Sequence, residues 1–313
     1  MDKMVWRSGR TSFSFAGAVN WFPGHMAKAT RLMRERLNSG GVDVVLEVRD
    51  ARIPFSAANS TLEGVLAQRH IPRILILHKA DLTNHNLLPA PGAGKAGKAI
   101  QSLIPTALEH YKQHRQRLLG EGADDPSTSC PGYPDKPLTL MIMGLPNVGK
   151  STIINSLRQH CLSDSDKKKR GSQFAKTGPL PGVTRDLTGF KVSSKPLAYL
   201  VDTPGVMIPN VENADVGLRL ALTGAVKESI VGKQAIADYL LYSLNRLNAW
   251  EGYVKAWGLD GPTDDIEHLL RRIAQKTGAK QVEGTDDLEV AAHHFLKRFH
   301  AGGFGSLTLD DVP

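Results

Sequence analysis

The sequence predicts a three-layer α/β fold with a parallel sheet, followed by a small all-helical domain. Four short apolar runs alternate with helix-capable stretches through the first two thirds of the chain, the pattern of a parallel sheet covered on both faces. Each run ends directly before a polar motif, and open sheets of this kind bind ligands at the carboxyl ends of their strands. After about Asp215 the strand runs stop and apolar residues recur at helical spacing.

The runs fall in this order. Val42–Val48 leads into Arg49-Asp50-Ala51-Arg52, and Ile74-Leu75-Ile76-Leu77 into His78-Lys79-Ala80-Asp81. Leu138–Met143 leads into Gly144-Leu145-Pro146-Asn147-Val148-Gly149-Lys150-Ser151, and Leu197–Val201 into Asp202-Thr203-Pro204-Gly205. Thr61–Arg69 and Ser151–Arg158 are among the intervening helix formers. Residues 84–98 and 120–137 are rich in Gly, Pro, Asp and Ser and read as surface loops. Beyond Asp215, Leu218, Leu222, Val226 and Ile230 recur every four residues, then Ile236, Leu240, Leu244 and Leu247. A further helix follows Thr263, with Ile266, Leu269, Leu270 and Ile273 on one face and Gly278 to end it. Another follows Thr285, with Leu288, Ala292, Phe295 and Phe299. The organisation is therefore an N-terminal segment 1–19, an α/β domain 20–214 and a helical domain 215–313.

Composition narrows the functional classes. The chain has 313 residues, of which 41% are hydrophobic, enough for one ordinary domain and a smaller one. The net charge of +8 and pI near 9.4 suit an anionic partner such as RNA or an anionic membrane, and equally a solvated basic surface. Arg271, Arg272, Lys276, Lys297 and Arg298 in the helical domain, and the run Lys167-Lys168-Lys169-Arg170, carry the same two readings. The two cysteines, Cys130 and Cys161, form no CxxC pair, which argues against a zinc site or a disulfide framework and fits a reducing compartment. No window approaches 18 uncharged apolar residues, so no transmembrane helix is expected. Met1–Val19 carries Lys3, Arg7 and Arg10, several serines and one acid, Asp2, in the manner of a short mitochondrial presequence.

The strongest chemical signal is the segment Gly144–Ser151, a phosphate-binding loop. Gly144 and Gly149 let backbone N–H groups close around phosphate oxygens. Asn147, Val148, Gly149, Lys150, Ser151 and Thr152 form the phosphate-contacting set; Lys150 reaches the β- and γ-phosphates and Ser151 places its hydroxyl on Mg²⁺. The helix that starts at Ser151 points its positive end at the same charge. Asp202 can hold Mg²⁺ from the second side, and Gly205 completes the phosphate contacts. Thr184, in the loop Pro181-Gly182-Val183-Thr184-Arg185, lies between these two Mg²⁺ elements and is the candidate switch residue, joining the metal shell when a γ-phosphate is present. Asp81 can accept two hydrogen bonds from the guanine amino and ring N–H groups, which adenine cannot supply, and Lys79 can lay its stem along the base. His78 stands where GTPases usually have Asn; it can donate toward the guanine N7/O6 edge or brace the phosphate loop. The base-reading motif precedes the phosphate loop, the reverse of the usual order, so the domain reads as a circularly permuted GTPase domain.

Asn20-Trp21-Phe22-Pro23-Gly24-His25-Met26, Asp50-Ala51-Arg52-Ile53-Pro54, the permuted order, Val216-Gly217-Leu218-Arg219-Leu220 and Phe304-Gly305 together resemble one family. They are similar to the circularly permuted ribosome-assembly GTPases typified by bacterial ribosome biogenesis GTPase A, and the presequence-like start points to mitochondrial members. The resemblance covers roughly residues 20–312. It implies GTP hydrolysis coupled to maturation of the large ribosomal subunit, a helical domain that contacts ribosomal RNA, regulation of mitochondrial translation, and residence in the matrix or at the matrix face of the inner membrane. Val206 follows the Asp202–Gly205 motif where Ras-like enzymes carry a water-orienting glutamine; the resemblance gives that role to His25, whose imidazole can orient the attacking water. It also implies that Asn147 helps to bind an activating K⁺. In the family a helix and a strand separate the base-reading motif from a small guanine-touching loop. Here the best candidate, Ala93-Gly94-Lys95-Ala96-Gly97-Lys98, follows too closely for both. Two rivals stand beside the GTPase: an RNA-binding assembly scaffold with a degraded guanine site, and an ATP-using P-loop enzyme, which Asp81 argues against.

Overall fold

The computed structural model describes residues 9–15, 17, 24–84, 86–87, 96–119, 137–162, 189–203, 205, 211 and 213–311. The first part of the chain forms α1 (Gly24–Asn38), β1 (Val44–Asp50), α2 (Ser60–Arg69), β2 (Arg73–His78), a 3₁₀ turn (Ala80–Leu82) and α3 (Ala96–Leu119). The second part forms β3 (Leu138–Gly144), α4 (Lys150–Cys161), β4 (Gly189–Ser194) and β5 (Leu197–Asp202). Six helices follow: α5 (Ala214–Leu222), α6 (Glu228–Val231), α7 (Lys233–Arg246), α8 (Trp250–Trp257), α9 (Ile266–Thr277) and α10 (Leu288–His300).

The five strands make one sheet in the order β2-β1-β3-β5-β4. All neighbours are parallel except β4, which pairs antiparallel with β5 as a hairpin. Every residue of β1 is buried, as expected of a strand covered on both faces. Its alternate side chains enter two cores. Val44, Leu46 and Val48 join Leu138, Leu140 and Ile142 in the large core, which continues without a break into the C-terminal helices. Val45 joins Met141 and Met143 under Met33 and Leu37 of α1 and Leu62 and Leu66 of α2. Glu47 and Arg49 point to this second face. Arg49 bridges Glu47 and Glu63, both at 2.6 Å, and Arg73 closes the cluster onto the same two carboxylates. Within the cluster Arg49 and Glu47 are the buried pair, and removing one of them would leave the other's charge buried at a cost of several kcal/mol.

The four expected strands form close to their expected bounds, and the predicted fold class holds. The hairpin strand β4 was missed because Gly189–Ser194 is mostly polar or small, with Phe190 and Val192 its only large apolar residues. Helix α3 was missed because its first turn lies in a stretch read as loop and Pro105 interrupts it. The spacing from Leu218 to Ile230 is not one helix. Thr223 Oγ1 bonds back to the Arg219 carbonyl, Gly224 turns left-handed at φ 80°, and Ala225 N–H reaches the Leu220 carbonyl. That is a helix-ending motif, and a short α6 resumes after Lys227.

Residues Gly9–Phe15 lie on the helical region. Arg10 bonds Asp238 at 2.7 Å and the Asp264 carbonyl at 2.6 Å, and Gly9 N–H bonds the Asp264 carboxylate at 2.8 Å. Phe13 meets the Tyr239 ring edge-on at 5.2 Å and Tyr242 at 5.6 Å. Arg10 and Phe13, within the segment read as presequence-like, thus pack on α7. Replacing Phe13 by Ala should lower unfolding stability by about 1–2 kcal/mol through lost apolar and ring contact; a urea midpoint equal to that of the parent chain would refute the docking.

Candidate nucleotide site

Strand register brings the motifs to one end of the sheet. Val48 pairs with Gly144, Asp50 with His78, and Ile142 with Asp202. The phosphate loop leaves β3 at Gly144, with φ 151°, passes Asn147 at φ 58°, and enters α4 through Gly149 at φ 102°. Left-handed positions in such a loop turn successive N–H groups inward, which makes an anion-binding concavity. Two of these positions also have no room for a side chain. A Cβ on Gly144 would stand 2.3 Å from the Val48 carbonyl oxygen, and one on Gly149 would stand 2.3 Å from His78 Nδ1. A Cβ on Gly205 would likewise stand 2.7 Å from Pro146 Cα. Strand β1, the base-reading motif and the Asp202–Gly205 segment therefore all press against the loop.

Lys150 begins α4 and is buried. Its ammonium donates to the Gly144 carbonyl at 3.1 Å and to the Leu145 carbonyl at 2.7 Å, so it is held inside the concavity. Burial lowers its pKa to about 8, against the opposing pull of Asp202. The Asp202 carboxyl is pushed up by burial, with Lys150 and the Thr203 backbone pulling the other way. Thr203 is locked to the Ile142 carbonyl at 2.6 Å. Ser151 and Thr152 lie exposed in the first turn of α4, and Val148 is buried.

His78 takes the bracing position of the two the sequence left open: its ring lies against Gly149. Burial and the Lys79 charge hold its pKa below the ordinary value, so the ring is neutral near pH 7. Lys79 adopts φ 60° and donates to Asp50 at 2.9 Å. Asp50 also takes a bidentate pair from Arg52, at 2.9 and 2.8 Å, and Arg52 lies over the Phe299 ring at 5.0 Å. Burial raises the Asp50 carboxyl, but Arg52 and Lys79 outweigh it and leave it below the usual range. Asp81 is exposed in the 3₁₀ turn that follows. Asn147 is exposed, and its amide Nδ2 donates to the Gly224 carbonyl at 2.8 Å, tying the phosphate loop to the end of α5.

His25 lies in the first turn of α1, but its side chain, like Thr184, Pro204 and Val206, lies outside the described residues, as do Lys167–Arg170 and Cys130. Much of residues 84–98 does too; among the described residues no strand separates β2 from α3. No described helix is long and apolar enough to cross a membrane.

Sequence reasoning missed the ties that hold this site. Asp50 and Arg52 entered as a motif after the first strand run and through a resemblance, with no role assigned, yet Asp50 anchors Lys79 and Arg52 holds Asp50. Gly224, the partner of Asn147, carried no signal beyond being a glycine.

This geometry defines a P-loop nucleotide-binding domain with its base-reading segment placed ahead of the phosphate loop. A family model described as "50S ribosome-binding GTPase" matches residues 139–276, from β3 onward. The chain is 36% identical to Mitochondrial ribosome-associated GTPase 1 of Ictalurus punctatus, covering 96% of each chain. It is 37% identical to the protein of that name in Mus musculus, over 93% of this chain and 90% of that one. It is 34% identical to Ribosome biogenesis GTPase A of Bacillus licheniformis, over 93% and 98%. A crystal structure titled as GNP-bound YlqF from T. maritima shares the fold, at TM-score 0.51 and 21% identity, with 90% of this chain and 97% of that one covered. The chain belongs to the family of ribosome-associated GTPases that includes these relatives.

Lys150 supplies a pH test. Its folded pKa near 8 lies below its ordinary 10.5, so the penalty for burying its charge is fully present below pH 8 and is relieved as pH rises toward 10.5. An anion in the concavity restores the charge. Binding of a nucleoside triphosphate at pH 8 should therefore take up roughly half a proton at this residue. Calorimetry in buffers of different ionisation enthalpy measures the uptake, and Lys150→Ala should remove it.

Proposed function

We propose that this chain binds GTP with Mg²⁺, hydrolyses it slowly alone and faster on a ribosomal particle, and serves assembly of the large mitochondrial ribosomal subunit. One observation carries the reading most of the way. The preformed phosphate concavity around Lys150 stands at the same sheet end as Asp81, in the permuted order of the family. The names of the relatives, mitochondrial and ribosome-associated, support the organelle and the partner.

In this reading Asn147, Val148, Gly149, Lys150, Ser151, Thr152 and Gly205 hold the phosphates, and Lys79 and Asp81 hold guanine with His78 behind the loop. Mg²⁺ fits the residues present. Among the described residues no cluster of three or more His, Cys, Asp or Glu side chains could cage a metal. Mg²⁺ needs none, because it is held by one or two protein oxygens with substrate phosphates and water. The exposed Ser151 hydroxyl and the Asp202 carboxylate, with Thr184, supply the oxygens. The ion would neutralise charge developing on the transferred phosphoryl group. Asn147 spends its amide N–H on Gly224 and keeps its oxygen for K⁺. Lys150 stabilises phosphate charge and His25 orients water. The domain 20–214 would do this chemistry, and 215–313 would meet ribosomal RNA. Residues 1–19 would address the chain to the mitochondrion, in the matrix or at the matrix face of the inner membrane. The preformed phosphate loop weighs against an RNA-only scaffold.

Competition between GTP and ATP for a fluorescent GTP analogue tests the core of the proposal; equal competition refutes it. Asp81→Asn should weaken GTP about 100-fold, the loss of two charge-assisted hydrogen bonds, and should favour the xanthine nucleotide, whose 2-carbonyl accepts from the new amide. His25→Ala should abolish most of the stimulation by large subunits; unchanged stimulated turnover would remove His25 from the mechanism.

A further inference from the structure

The 3₁₀ turn that carries Asp81 buries none of its own residues, and β2 before it is an edge strand of the sheet. Recognition of a base needs the carboxylate held to about half an ångström, so something outside the turn must hold it. The chain's own C-terminal segment does so. Gly305, at φ 88°, reverses the chain after α10 and sends residues 306–310 back along the base-reading loop. Leu307 N–H donates to the Leu82 carbonyl at 2.9 Å, and Leu309 N–H to the Arg52 carbonyl at 2.8 Å. Thr83 Oγ1 donates to the Ala51 carbonyl at 3.1 Å. Its single hydrogen is thereby used, so in the 2.7 Å contact between the two hydroxyls Thr308 is the donor. Thr308 Oγ1 accepts in turn from Asn84 N–H at 3.3 Å. Asp310 anchors the far end: it accepts from Phe55 N–H at 2.7 Å, from Ser56 N–H at 2.8 Å, from the Ser56 hydroxyl, and from Arg219 of α5 at 3.0 Å. Leu307, Thr308, Leu309 and Asp310 are all buried.

We propose that Ser306–Asp310 is a structural part of the guanine site, a clamp on the Asp81 loop in which Thr308 and Asp310 are positioning residues for base recognition. The clamp rests on the guanine-nucleotide reading above. The same segment reaches the base-reading loop through Leu307 and Thr308, and through Asp310 it joins the loop after β1, at Phe55 and Ser56, to Arg219 of α5.

The test uses the full chain and three probes: GTP, ATP and inorganic tripolyphosphate, each with Mg²⁺. Tripolyphosphate reads the phosphate loop without the base. Thr308→Val keeps the side-chain volume and removes the hydroxyl. It should weaken GTP about tenfold and narrow the GTP-over-ATP preference by the same factor, with tripolyphosphate unchanged, and Thr308→Ser should restore both. Asp310→Asn should move the same ratio in the same direction. If Asp310→Asn does not fold, the Thr308 pair decides alone, and Ser306→Ala, which loses only the 3.4 Å contact to the Asp81 carbonyl, serves as the mildest variant. A folded Thr308→Val chain with the parent's GTP affinity and preference overturns the clamp. So does an equal loss for all three probes, which marks general destabilisation. A parent chain without preference for GTP over ATP overturns the guanine reading itself, and the clamp with it.

Discussion

The rest of the site depends on one steric constraint: three separate chain segments close on the phosphate loop, with no atom's width between them. Gly144 sits against the β1 backbone, Gly149 against the His78 ring and Gly205 against Pro146. These contacts fix where the loop's N–H groups point before any ligand arrives. An anion site whose dipoles are already aimed spends little free energy reorganising them. The same closeness buries Lys150 and displaces its titration, so the charge that meets phosphate is stored in a partly disfavoured form.

A second layer of contacts ties that loop to the helical region. Asn147 reaches Gly224 at the end of α5, His300 of α10 meets the Leu222 carbonyl at 2.8 Å, and Arg52 lies over Phe299. The large core runs through sheet and helices as one body. The permuted order gives this layout a consequence. The Asp202–Gly205 segment is the last nucleotide motif in the chain, and α5 is the next described helix. Arg219 of that helix bonds Asp310 at 3.0 Å, so α5 is held to the segment that follows α10.

Where the sequence was legible, local chemistry left few choices. Leu138–Met143 followed by Gly144–Ser151 reads directly, since a buried strand, two glycines, a lysine and a hydroxyl have one common use at that spacing. The helix end at Gly278 was equally plain, because Gly278 takes φ 72°; the helix expected after Thr285 starts at Leu288, where the Asp287 side chain caps it. Where two readings of the same residues compete, the sequence failed. Leu218 to Ile230 kept helical spacing across a real break, since spacing does not register the back-bond of Thr223. Gly189–Ser194 gave no strand signal because half of it is polar, although pairing with β5 makes it a strand.

His78 shows the division most clearly. The sequence determined that an imidazole stands where an amide is usual, and that it can either touch a base or brace a loop. Only the tertiary structure chose the brace, because Gly149 and His78 meet through strand neighbours far apart in the chain. The same holds for Asp50, which acts through Lys79 and Arg52, and for Thr308 and Asp310, which reach loops more than two hundred residues away. The sequence by itself determined the chemistry on offer: phosphate-cradling backbone, a guanine-matching carboxylate, oxygens for Mg²⁺, and their permuted order. The tertiary structure decided which groups support which, because support is a matter of sub-ångström distance between segments that sequence spacing cannot measure.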